Sequence, residues 1–137
     1  METLFTKIGK GEIPAEILYS DDLCFAILDI APVNKGHALV IAREAYPTIE
    51  ETPLNVLERM MEVVQKLSKK MGEELKADAT NVIINNGPAA GQEVPHIHIH
   101  IIPRFEEDGK RFIAQKIAYE EGEMSLFGDK LRLRDIH

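Results

Sequence analysis

The chain has little cysteine, few cations and no long apolar run, and each shortage excludes a class of protein. Its single cysteine, Cys24, stands within Cys24-Phe25-Ala26-Ile27-Leu28. An intrachain disulfide framework is therefore impossible, and a buried, reduced thiol that serves packing is the expectation. No stretch approaches the ~18 consecutive apolar residues that a bilayer span requires. The N-terminus, Met1-Glu2-Thr3-Leu4-Phe5, also lacks a basic region followed by an apolar run. A cytoplasmic protein without a membrane partner is expected. Lys and Arg number 16 against 23 Asp and Glu, a formal charge of −7, which argues against a nucleic-acid partner because backbone binding rests on clustered cations. A small phosphate site remains open, since backbone N–H groups and a few side-chain donors suffice for one. Internal repeats and low-complexity segments are absent, and 137 residues can bury a core as one domain without a structural metal.

Histidine, in contrast, is concentrated. Three of the five fall within His96-Ile97-His98-Ile99-His100. A β-strand turns successive side chains to opposite faces, so these three share one face while Ile97, Ile99 and Ile101 point into a core. One pocket wall is then made of imidazoles, able to hold a nucleophile, an acid and a proton store near neutral pH. A surface strand with chance alternation gives the same period. A metal site is the stronger rival, but neighbours on one strand face stand roughly 7 Å apart and cannot all reach a zinc at about 2.1 Å. A further ligand such as His37 or Glu93 would be needed, and we expect neither metal nor cofactor. Just upstream, Gly87 and Gly91 bracket a loop whose backbone can approach an anion, with Asn85 and Gln92 as side-chain donors. Imidazoles beside such a loop suit phosphoryl transfer, which needs an in-line nucleophile and fixed donors.

The remaining pattern predicts an α+β fold with an antiparallel sheet, one long helix and a short N-terminal helix. The short helix covers Leu4 to Gly11, and an extended segment follows Pro14 through Ile17, Leu18 and Tyr19. Strands are expected at Cys24–Leu28, Ala38–Ala42 and Ala79–Asn85, the last antiparallel to the histidine strand. The long helix runs from Pro53 to about Leu75, with Thr52 as its cap and Leu57, Met60, Met61, Val64, Leu67, Met71 and Leu75 as its core stripe. Further on, Lys110 to about Glu121 reads as helical, and Ser125–Phe127 with Leu131–Leu133 flank Gly128-Asp129 like the arms of a hairpin. Arg104 is either a phosphate contact or a surface charge.

The segment Gly91-Gln92-Glu93-Val94-Pro95-His96-Ile97-His98-Ile99-His100-Ile101-Ile102-Pro103-Arg104 resembles the signature of the histidine-triad (HIT) superfamily of nucleotide hydrolases and transferases. The likeness extends through Phe5-Thr6-Lys7-Ile8, Gly11-Glu12-Ile13-Pro14-Ala15, Leu28-Asp29-Ile30-Ala31-Pro32 and Gly36-His37-Ala38-Leu39-Val40-Ile41. It is greatest to the bacterial, Hint-like branch. The resemblance implies a single HIT domain over residues 1–137 with 106–137 as a divergent tail, usually paired as a homodimer. It also implies transfer of a purine nucleoside monophosphate through a covalent nucleotidyl-histidine. In that scheme His98 is the nucleophile, His100 serves the phosphate and leaving group, and His96 and His37 support the nucleophile from behind. Asp29 matches the ribose position, Ile30 a base-pocket neighbour and Asn85 a phosphate contact, with Gly91, Gln92 and Glu93 completing the substrate side.

Two departures from that family matter. Thr3 and Thr6 stand where many bacterial relatives carry the Cys-x-x-Cys of a structural zinc site, and Glu93 replaces a serine that serves the reaction in some members. The expected function is a phosphoramidase or related nucleotidyl hydrolase. The rivals are a dinucleoside polyphosphate hydrolase and a nucleotide-binding module with little turnover.

Overall fold

Two short apolar runs form strands buried on both faces, and the other elements are arranged to cover them. In the computed structural model, which describes residues 1–136, the elements are α1 (Leu4–Gly9), β1 (Ile17–Ser20), β2 (Cys24–Leu28), β3 (Ala38–Ala42), α2 (Leu54–Glu74), β4 (Ala79–Ile83), β5 (His98–Arg104) and α3 (Glu123–Leu131). A 3₁₀ turn occupies Pro88–Ala90. The strands make one antiparallel sheet in the order β1-β2-β3-β5-β4. This is the predicted α+β architecture.

Strand alternation sorts the side chains by face. Cys24, Ala26, Val40, Ile97, Ile99 and Ile101 pack beneath α2, against Val56, Met60, Val63, Val64 and Met71. Phe25, Ile27, Leu39 and Ile41 turn the other way and pack against Phe5 and Ile8 of α1. Cys24 is fully buried, and burial pushes its thiol up to about 11, so it is an inert packing group as expected. His98 and His100 share the α1 face, opposite Ile41 and Leu39 on β3. The antiparallel pairing of β4 with β5 also follows the expectation.

The core stripe of α2 is narrower than its methionines suggest. Met60 and Met71 are buried, whereas Met61, turned about 100° from Met60, and Leu75, the C-cap beyond the last helical residue, are exposed. Thr52 does not cap this helix. Pro53 occupies the N-cap position and the Thr52 hydroxyl donates instead to the Thr48 carbonyl at 2.6 Å.

The tail corrects two further expectations. Residues 110–120 have no regular structure, and the segment read as a hairpin is α3, with Gly128 and Asp129 inside it. The start of the tail is tied to the end of β5, since Asp108 accepts the Lys110 N–H at 2.9 Å and Arg104 donates to the Lys110 carbonyl at 2.5 Å. Gly122 at φ 81 then turns the chain into α3, and an Asp129–Arg132 ion pair lies along it. Arg104 accordingly has neither expected role. It holds Asp108 at 2.9 Å and Asn81 at 2.6 Å as a clamp at the end of β5.

Candidate active site

The α1 face of the sheet opens into a cavity of about 500 Å³, within the range of small-molecule sites. Its apolar walls come from Leu4, Phe5 and Ile8 of α1, Ile13 to Ala15, and Ile27 and Leu39 of the sheet. Its polar groups are His98, His100, Asp29, Asn85 and Glu93, with Gly91 and Ile30 at the boundary. The structure therefore brings together seven of the ten residues that the sequence singled out.

The other three support the cavity or its loop from outside its lining. β5 begins only at His98, so His96 sits in the preceding bend, fully buried. His37 is also buried, immediately before β3. It follows Gly36, whose φ of +102 is a conformation that residues with a side chain rarely adopt. Gln92 does not offer its amide to a ligand. Its Oε1 accepts the Gly87 N–H at 2.8 Å and its Nε2 donates to the Pro47 and Val94 carbonyls at 2.7 and 3.1 Å. The N–H groups of Ala90, Gly91 and Gln92 likewise bond to carbonyls inside the loop. The glycines shape a closed turn, and the expected backbone cradle for an anion is not formed by these three donors.

Hydrogen bonds fix the tautomers, because a carbonyl only accepts and a backbone N–H only donates. His98 Nδ1 lies 2.7 Å from the His96 carbonyl, so its proton sits on Nδ1 and Nε2 keeps a lone pair. His37 Nδ1 accepts the Val33 N–H at 3.1 Å, which puts the His37 proton on Nε2. That group donates to His100 Nδ1 at 3.0 Å, leaving His100 with its proton on Nε2. A neutral nucleophilic nitrogen and a neutral N–H donor thus stand on neighbouring rings, 5.1 Å apart between centroids. The two supporting histidines do not stand together behind the nucleophile. His96 backs His98, and His37 backs His100.

Burial lowers the pKa of all four imidazoles, and His100 is brought to about 4 by burial first and then by His98 and His37. Each is neutral at pH 7, as nucleophilic attack requires. Asp29 has two tasks. Its Oδ1 accepts the Ala31 N–H at 2.9 Å, the turn role, while Oδ2 faces His37 Nε2 at 3.6 Å on the cavity wall.

Ligand atoms of Asp29, His37 and His100 lie within 4.8 Å of one another. These residues can hold a metal only if the His37 Nε2 proton leaves, because that proton now bridges the two rings. The thiolate zinc site of the bacterial Cys-x-x-Cys pattern does not fit Thr3 and Thr6. The Thr3 and Thr6 hydroxyls are engaged in a reciprocal capping box at the start of α1. Phe5, which contacts the His98 ring edge-on at 4.8 Å, entered the sequence reading only through the family likeness and not as a site residue, because a lone aromatic in a short helix carries no periodic signal.

Known proteins resemble this chain over most of its length. An Arabidopsis thaliana protein named adenylylsulfatase HINT3 is 46% identical over 78% of the chain, which spans only 54% of that relative's length. The adenosine 5'-monophosphoramidase hnt1 of Schizosaccharomyces pombe is 42% identical, with 79% of this chain and 78% of that protein covered. A crystal structure of a HIT family member from Bacillus subtilis superposes with a TM-score of 0.88 at 31% identity, covering 98% of this chain and 99% of that one. The family model for the HIT domain matches residues 10–107, and with the paired histidines facing one cavity, the chain belongs to the HIT family.

Proposed function

We propose that the protein is a nucleotide phosphoramidase that releases a purine nucleoside monophosphate through a nucleotidyl adduct on His98. The observation that carries this reading is the His98 Nδ1 bond to the His96 carbonyl, which leaves Nε2 as the available nucleophile on a ring lining the cavity. Relatives named as phosphoramidase and adenylylsulfatase support a nucleotide hydrolase. In the first step His98 Nε2 bonds to the α-phosphorus and the bond from phosphorus to the leaving nitrogen breaks as that nitrogen takes the His100 Nε2 proton, which a proton from water replaces in the second step. Water then attacks the adduct and the electron pair returns to Nε2. Over the cycle water supplies the hydroxyl of the phosphate and the proton of the free amine. Asp29 is suited to the ribose hydroxyls and Asn85 to a phosphate oxygen.

The charge of the cavity favours an amine leaving group. Its charged lining residues, Asp29 and Glu93, are both acidic, so a sulfate or polyphosphate leaving group brings further negative charge against them. In a panel of adenosine-linked substrates, release of AMP from the phosphoramidate is expected to exceed release from adenylyl sulfate and diadenosine polyphosphates. Glu93→Ser is expected to narrow that preference by about three- to tenfold, on the order of 1 kcal/mol. An unchanged preference would remove Glu93 as its source, and absence of turnover on the whole panel would reject the enzyme reading.

The same reading makes residues 1–137 one domain with a divergent tail and pairs two chains. β4 is an edge strand whose Val82 is exposed beside Met61 of α2, and the tail carries exposed Ile113, Ile117 and Leu133. Unpaired strand edges and apolar surface of this kind call for a cover, and a second copy supplies it. Sedimentation at micromolar concentration is expected to give the mass of two chains, and the mass of one would defeat the dimer.

A further inference from the structure

His96 is fully buried, and neither of its ring nitrogens is free. Nε2 lies 2.6 Å from the Ala42 carbonyl, so it carries the proton, and Nδ1 lies 2.6 Å from Thr3 Oγ1, so the threonine hydroxyl must donate to it. Thr3 Oγ1 meanwhile accepts the backbone N–H groups of Phe5 at 3.1 Å and Thr6 at 3.2 Å. One hydroxyl therefore caps α1 and locks a buried histidine in a single tautomer. The carbonyl of that same histidine receives the His98 Nδ1–H at 2.7 Å.

We infer that Thr3 is a positioning residue for the His98 nucleophile, acting through the ring and carbonyl of His96. The ring of His96, held at both ends, fixes the peptide that directs the His98 proton to Nδ1. Phe5, next to the Thr3 cap, braces both rings, edge-on at 5.6 Å from His96 and 4.8 Å from His98. Removing the Thr3 donor leaves a buried lone pair on His96 Nδ1 without a partner, a penalty relieved only if the ring turns or changes tautomer. Either movement disturbs the carbonyl, and His98 then divides its proton between its two nitrogens.

The turnover arm of the test rests on the proposed role of His98, whereas the spectroscopic arm does not. Thr3→Val keeps the shape and removes the hydroxyl, and Thr3→Ser restores it. On the adenosine phosphoramidate, Thr3→Val is expected to lower kcat about 10- to 100-fold with KM within about threefold, as for a change confined to the reacting group. The imidazole ¹⁵N signals of His98 are expected to report one Nδ1–H tautomer in the parent protein and in Thr3→Ser, and a mixture in Thr3→Val. Should Thr3→Val not fold, Thr3→Cys, a weaker donor of similar size, is expected to fall between the other two in kcat and tautomer purity. Parent-like kcat together with an unmixed His98 signal in Thr3→Val, or in Thr3→Cys where that is the variant that folds, would overturn the inference, as would Thr3→Ser behaving like Thr3→Val. If the parent shows no nucleotide turnover while the tautomer still follows the Thr3 hydroxyl, the phosphoramidase reading fails and the positioning role stands.

Discussion

Replacing His98 by alanine is expected to reduce turnover of the adenosine phosphoramidate by about three orders of magnitude or more. The geometry leaves no substitute. His96 is buried outside the cavity with both ring nitrogens bonded, and the Nδ1 of His100 accepts from His37 while its Nε2 carries a proton. Neither ring presents a lone pair to a phosphorus held in line with His98. Binding is expected to change little, because the apolar walls and Asp29, Ile30 and Asn85 remain. The dissociation constant for AMP is expected to move by less than about tenfold, about 1.4 kcal/mol. Protein quenched during turnover is expected to carry an acid-labile nucleotidyl group on His98. Retained turnover in His98→Ala, or an adduct mapped to His96 or His100, would reject the assignment.

The sheet and the site differ in how far they can be read from the chain. The short, bounded apolar runs Cys24–Leu28 and Ala38–Ala42 and the alternating isoleucines of the histidine run predict strands, and successive side chains of these runs pack on opposite faces in the fold. Position within the triad is less legible. His96 has the spacing of its neighbours but lies before β5, where the Ile97 N–H bonds to the Tyr46 carbonyl at 2.7 Å, a contact between residues distant in the chain. Gln92 has the residue type of a phosphate donor, yet three backbone groups of its own surroundings occupy its amide. The tail misled for another reason. Its strand-like pairs around Gly128-Asp129 are exposed in this chain, so local helix bonds from Gly122 onward decide the outcome without a partner strand. What escapes sequence reading here is the competition for hydrogen bonds between segments far apart in the chain.

Acid is expected to destabilise the fold well above the pH at which Asp21 and Asp108 protonate. His37, His96, His98 and His100 all have folded-state pKa values below the ordinary 6.5, chiefly because burial disfavours the imidazolium. The unfolded chain therefore binds protons first as pH falls, and the linkage relation requires stability to fall with it. This contribution is fully present above pH 6.5 and is lost as pH drops toward the folded values, down to about 4 for His100. Each withheld proton costs up to about 1.4 kcal/mol per pH unit, so His100 alone accounts for about 2–3 kcal/mol across that window. Asp21 and Asp108 act lower on the scale. Burial opposes ionisation of Asp21, but bonds from Tyr19, the Cys24 N–H and Arg59 outweigh it, and Arg104 with the Phe105 and Lys110 N–H groups holds Asp108 down. Their support is present above 3.8 and disappears only below it. Urea midpoints measured at pH 7, 5.5 and 4.5 are thus expected to fall steadily, with kcat declining as His98 Nε2 takes a proton. His100→Gln is expected to flatten the stability slope between pH 6.5 and 4 by about the share of one proton. Midpoints unchanged from pH 7 to 4.5 would show that the imidazoles are not buried as neutral groups.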